Sequence, residues 1–106
     1  MKVSKKRQAR WKNIRSLVET EIGQSANPVF IQALRFCLDV MDGKSPLLNL
    51  SDAHNYVVEI EDRVNYLIYQ TTDILRTNAL MECADIVREA AEDLQIDYRL
   101  EKENES

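Results

Sequence analysis

Residues 28–42, PVFIQALRFCLDVMD, decide the fold. Asn27 and Pro28 read as an N-cap and a first helical residue: an asparagine oxygen accepts the orphan amides of a first turn, and proline brings a helical φ with no amide to lose. Gly43 stands where a helix C-terminus takes a left-handed residue. At 100° per residue, the apolar side chains Val29, Phe30, Ile31, Ala33, Leu34, Phe36, Cys37, Leu38, Val40 and Met41 cover an arc of roughly 220°. Gln32, Arg35, Asp39 and Asp42 hold the remainder. A surface helix needs an apolar stripe of only about 100° or slightly more, so this segment is expected to be covered from several sides as the central helix of a bundle.

The neighbours that would cover it lie on both sides. Upstream, the spacing predicts a helix from about Ser4 to Ile22, ended by Gly23, with Trp11, Ile14, Leu17, Val18 and Ile22 on one arc of roughly 140°. Downstream, residues 43–50, GKSPLLNL, form a loop whose Leu47, Leu48 and Leu50 are expected to plug one end of the bundle. Ser51 reads as the N-cap of a third helix, with Asp52 favourable to its dipole. Tyr56, Val57, Ile60, Val64, Leu67, Ile68, Ile74 and Leu75 share that helix's apolar face.

A fourth helix is expected from about Asn78 to Tyr98, capped at Thr77 or Asn78, with Leu80, Cys83, Ala84, Ile86, Val87, Ala90, Ala91, Leu94 and Tyr98 inward. The hydrophobic phase restarts near residue 80, yet no Gly or Pro lies between 47 and 106, so one bent helix of over 40 residues is the alternative. The fold class is therefore all-α: an antiparallel three- or four-helix bundle, its second helix central.

A chain of 106 residues with 44 % apolar side chains makes one domain with a modest core. The expected division is a basic arm at residues 1–10, the bundle at 11–100 and an unstructured acidic tail at 101–106. The core is small for its helices, and a homodimer or higher oligomer is expected to finish the burial. Cys37 and Cys83 fall on apolar faces, without the short spacing of a metal knuckle or redox pair. No apolar run follows the basic start as in a signal peptide, and none reaches 18 residues, so a cytoplasmic protein without a membrane segment is expected.

Charge is unevenly spread. Residues 1–15 carry seven basic side chains, Lys2, Lys5, Lys6, Arg7, Arg10, Lys12 and Arg15, and no acid, whereas the other 91 carry seven basic and 18 acidic ones. Thus +7 is joined to −11. Clustered Lys and Arg neutralise phosphates with release of counterions, and Trp11 among them is a candidate for stacking on a base. No recognition fold accompanies the arm. The alternative is that it pairs with the acidic end, Glu89, Glu92, Asp93, Asp97, Glu101, Glu103 and Glu105, with Trp11 in the core. A second candidate surface is the back of the third helix, where Tyr66, Tyr69 and Val58 lie outside the main stripe.

Catalytic constellations are sparse. His54 is the only histidine and has no Ser or Cys partner in view. Glu59-x-x-Asp62 and Glu82-x-x-Asp85 place carboxylates at i and i+3 on two helices, a spacing able to hold Mg²⁺ through oxygen ligands. Here the chain resembles the all-α nucleotide pyrophosphohydrolases of the MazG-like group, whose bundles bind Mg²⁺ with Glu-Glu-x-x-Glu followed by Glu-x-x-Asp. Residues 82–102, ECADIVREAAEDLQIDYRLEK, are similar in cadence to that group's second motif helix. Val58 stands in place of the first Glu of the motif and Asp62 in place of the last. The resemblance implies a Mg²⁺-dependent nucleotide hydrolase.

The residues themselves, with no catalytic set and much apolar helical surface, point to a non-enzymatic interaction or adaptor protein. It would bind a protein partner through helix faces, without cofactor or metal, and a nucleic-acid-associated protein acting through the basic arm is the second reading.

Overall fold

Four helices pack on one another in the structure, a computed structural model that describes residues 3–70 and 72–105, with side chains described as far as Leu94. They are α1 (Lys5–Gln24), α2 (Pro28–Met41), α3 (Leu50–Gln70) and α4 (Ile74–Glu105). α2 and α4 each pack against all three other helices, whereas α1 and α3 do not approach each other closely along their backbones. At about 1.5 Å per residue, the 32 residues of α4 are the element that sets the 52 Å long dimension.

The signals at the ends of α2 act as read. The Asn27 side chain accepts hydrogen bonds from the amides of Val29 and Phe30 at 3.0 and 3.3 Å, and Pro28 opens the helix. Gly43 adopts φ +79, its amide donates to the Val40 carbonyl at 3.0 Å, and the Lys44 amide donates to that of Asp39 at 2.9 Å. Phe30, Ala33, Leu34, Phe36 and Cys37 are buried, while Val29, Ile31, Leu38, Val40 and Met41 are half-buried. α1 begins near the expected Ser4, which proves to be its N-cap and accepts from the Arg7 amide at 3.2 Å, but it runs through Gly23 to Gln24. Residues 5–10 are thus the first turns of the helix that carries Trp11, and Val3 packs against the core.

Three local expectations are corrected. The cap of α3 is Asn49, not Ser51: the Asn49 side chain accepts from the Asp52 amide at 2.7 Å and donates to the Asp52 carboxylate at 3.0 Å, and Ser51, two residues on, is already inside the helix. Of the loop leucines, Leu48 packs on the core, but Leu47 is 100 % exposed and Leu50 is exposed as well, so the bundle end is plugged by one leucine alone. The α3–α4 region is two helices rather than one rod. Asp73 caps the second, accepting from the Arg76 amide at 3.1 Å, ahead of the expected Thr77 or Asn78.

The early start of α4 moves Ile74 and Leu75 out of the α3 stripe and into a first turn, where both are 70 % exposed, and Ile68 near the end of α3 is exposed too. Ala79, Leu80, Cys83, Ala84, Ile86 and Val87 form the buried face of α4. Its backbone is helical to Glu105, beyond the point where an unstructured tail is expected. The expectations for Lys2, Asp97, Tyr98, Glu101, Glu103, Glu105 and Ser106 lie outside the described side chains.

Candidate interaction surface

The basic start of the chain divides into an inward and an outward set. Arg7 lies within the apolar arc of α1, and its Nε meets Glu82 Oε1 at 2.8 Å while Nη1 meets Glu89 Oε2 at 2.7 Å. Trp11, one turn on, is buried; its indole Nε1 donates to the same Glu82 oxygen at 2.9 Å, and the Arg7 guanidinium sits 5.0 Å from its ring centroid. Burial pushes the Glu82 carboxyl up, but the hydrogen bonds from Arg7 and Trp11, with the charges of Arg7 and Arg10, outweigh it and hold its pKa below the usual value. Arg15 pairs with Asp42 and, at 3.2 Å, with Glu19. Lys5, Lys6, Arg10 and Lys12 are exposed.

A second ionic cluster lies at the other end of α1. Glu21 is 2 % exposed, forms an ion pair with Arg76 in the first turn of α4, and has Arg63 Nε of α3 at 3.5 Å. Reading the sequence for sites passes over Glu21, although a signal exists: at 280° from Trp11 it falls inside the arc that runs from Leu17 to Ile22, roughly where a hydrophobic residue belongs. Arg7 meets Glu82 and Glu89 well along α4, and Glu21 meets Arg76 at its start, so the two helices run in opposite directions. The reverse alignment would set Arg7 against Arg76.

The two carboxylate pairs are not brought together. Glu59 accepts a hydrogen bond from Asn27 Nδ2 at 2.7 Å and shares with Asp62 a cleft that also holds Arg63 and Tyr66. Glu82 is engaged by Arg7 and Trp11, and Asp85 meets Arg88 at 2.9 Å, an arginine that also pairs with Glu61. Among the described residues, no three His, Cys, Asp or Glu side chains are grouped to hold a metal ion. His54 is exposed in a shallow depression with Ala53, Val57 and Ala91. The cysteines do meet: the Cys37 thiol donates to the Cys83 carbonyl at 3.3 Å across the α2–α4 contact, and burial, with Cys83 beside it, pushes the Cys37 pKa well up.

Several large apolar side chains are also open to water. Met81 is 50 % exposed on α4 and lies in two adjoining clefts. One holds Ile14, Leu75 and Arg10; the other holds Val64, Ile68, Ala84 and Arg88; Asp85 is common to both. Met81 and Asp85 thus stand between the two clefts, with Leu75 and Ile14 in one and Ile68 and Val64 in the other. The tyrosines of the α3 back differ from each other: Tyr66 lies under the Arg63 guanidinium at 5.1 Å, while Tyr69 is 85 % exposed. Val58 is exposed on the same helix.

A second apolar groove of about 340 Å³ opens at the other end of the bundle, where Phe36 and Val40 of α2, the 44–48 loop, and Ile86, Ala90 and Leu94 of α4 meet. No described helix is long and apolar enough to cross a membrane. No family model, curated protein or solved structure matches the chain.

Proposed function

We propose that the protein is a non-enzymatic interaction protein that binds a polypeptide partner through the outer faces of α3 and α4. The observation that carries this reading is the exposure of Ile68, Met81 and Leu75, three large apolar side chains that line two clefts with Met81 common to both. Contiguous apolar surface rimmed by polar groups is characteristic of contact sites, and methionine adapts to the shape of what it meets. The rim here is Arg10, Asp85, Arg88 and Glu61, charges of both signs suited to orienting a partner helix. A cytoplasmic setting fits the two free, buried thiols.

The same reading includes self-association. Val29, Ile31, Leu38, Val40 and Met41 are half-buried on α2, and a second copy that covers part of them completes the enclosure that its wide apolar arc calls for. Affinity purification of the full chain from its native cells tests the partner. A polypeptide retained by the parent and by Lys12→Glu but lost with Met81→Glu is the expected result, and equal retention by all three contradicts it.

A second reading rests on Lys5, Lys6, Arg10 and Lys12, exposed around the outer half of the first two turns of α1, a cationic surface able to lie on a nucleic-acid backbone. It uses neither Trp11 nor Arg7, both of which are turned into the fold. Binding to duplex DNA or RNA that weakens steeply with salt and vanishes in a Lys5→Glu/Lys6→Glu variant supports it. Absence of binding at low salt removes it.

A further inference from the structure

We infer that a second copy of the chain closes the groove at the α2–loop–α4 end, each copy inserting its Leu47 into the groove of the other. The inference rests on the homodimer reading above and gives that dimer its surface. Leu47 stands at one wall of the groove, yet it is the most exposed large apolar side chain described. It is not on a slack segment. The loop leaves α2 through the left-handed Gly43, with the Gly43 and Lys44 amides tied back to Val40 and Asp39, and it is anchored on the far side by Leu48 against the core. The fold thus holds a leucine out in water beside a hollow floored by Phe36, Val40, Ile86 and Ala90.

A projection and a matching hollow side by side on one surface are the arrangement that a two-fold axis satisfies. Rotation by 180° brings each leucine over the other copy's groove, and the contact closes on itself without leaving a free end to propagate. The charges on the rim fit the same operation. Lys44 and Asp93 both border the groove, and Lys44 is held only loosely within its own chain, 3.8 Å from Asp39. Across the axis, Lys44 of each copy is available to Asp93 of the other. Val40, half-buried on α2, lies in the groove and is covered when it closes.

Sedimentation velocity over a wide concentration range tests this on the full chain, with Leu47→Glu, Lys44→Glu and the exchange Lys44→Glu/Asp93→Lys. Because Leu47 is fully exposed, its substitution leaves the monomer's helical content unchanged by circular dichroism. The expected result is a dimer whose dissociation constant rises about a hundredfold or more with Leu47→Glu, since two leucine side chains lose their burial. Lys44→Glu weakens it less, and the exchange restores it. A dimer indifferent to Leu47→Glu overturns this interface while leaving the homodimer reading in place. A parent chain that is monomeric at every concentration overturns both, and a double variant no tighter than Lys44→Glu overturns the reciprocal pairing of the rim.

Discussion

Arg76, in the first turn of α4, forms an ion pair with Glu21, which is buried near the end of α1. The pair joins the fourth helix to the first: it ties the start of α4 to the end of α1, and it leaves a carboxylate out of water with two arginines to compensate it. Breaking a buried pair costs more when the fully buried member is the one left behind. Arg76→Ala is therefore expected to destabilise the fold by about 3 kcal/mol, and Glu21→Met by about 1 kcal/mol, because the remaining Arg76 guanidinium reaches solvent. Denaturant unfolding measures both, and a larger loss for Glu21→Met contradicts the argument.

The Arg7–Glu82–Trp11 cluster predicts a pH dependence with a definite sign. The folded-state pKa of Glu82 lies below its unfolded value, so its stabilising contribution is complete above the ordinary glutamate range, about 4.3, and is lost as pH falls through the lowered folded value. Glu82→Gln is accordingly less stable than the parent near neutrality, and the gap narrows as pH falls below about 4.3. Trp11 is the chain's one tryptophan and touches Glu82, so its fluorescence reports the transition directly. A gap that stays constant with pH is the contrary result.

The two glycines respond in opposite ways to alanine. Gly43 sits at φ +79, where a Cβ is strained whatever the space around it, so Gly43→Ala is expected to cost about 1 kcal/mol. Gly23 is inside α1 with open space around the Cβ position, and Gly23→Ala is expected to stabilise by roughly 0.5–1 kcal/mol through helix propensity and reduced chain entropy. Thermal melting of the two variants checks the signs.

Capping of α3 separates neighbouring positions. Asn49→Ala removes a bond to the Asp52 amide and is expected to cost about 1 kcal/mol, whereas Ser51→Ala, already inside the helix, changes stability by less than about 0.5 kcal/mol. Equal losses at the two positions contradict the observed start of the helix.

The ends of α2 are legible in the chain because Asn27, Pro28 and Gly43 act through their own backbone chemistry. The α3–α4 boundary is not. Thr72, Asp73, Thr77 and Asn78 are all plausible caps, and Ile74 and Leu75 match the α3 phase by coincidence, so only tertiary packing selects Asp73. Arg7 and Trp11 carry the basic-arm motif, yet their angles on α1 already place them on its inner side. Their partners Glu82 and Glu89, like the Arg63 and Arg76 partners of Glu21, are on remote helices that local periodicity does not register. Met81 is passed over for a related reason. Exposed apolar side chains have no spacing signature until the helices that flank them are in place.

The most direct measurement of the interaction account is photo-crosslinking in intact cells, from a benzoyl-phenylalanine placed at Met81 in one variant and at Lys12 in another. The account predicts a discrete polypeptide adduct from position 81 and none from position 12. No polypeptide adduct from position 81, with nucleic acid attached at position 12, would contradict it.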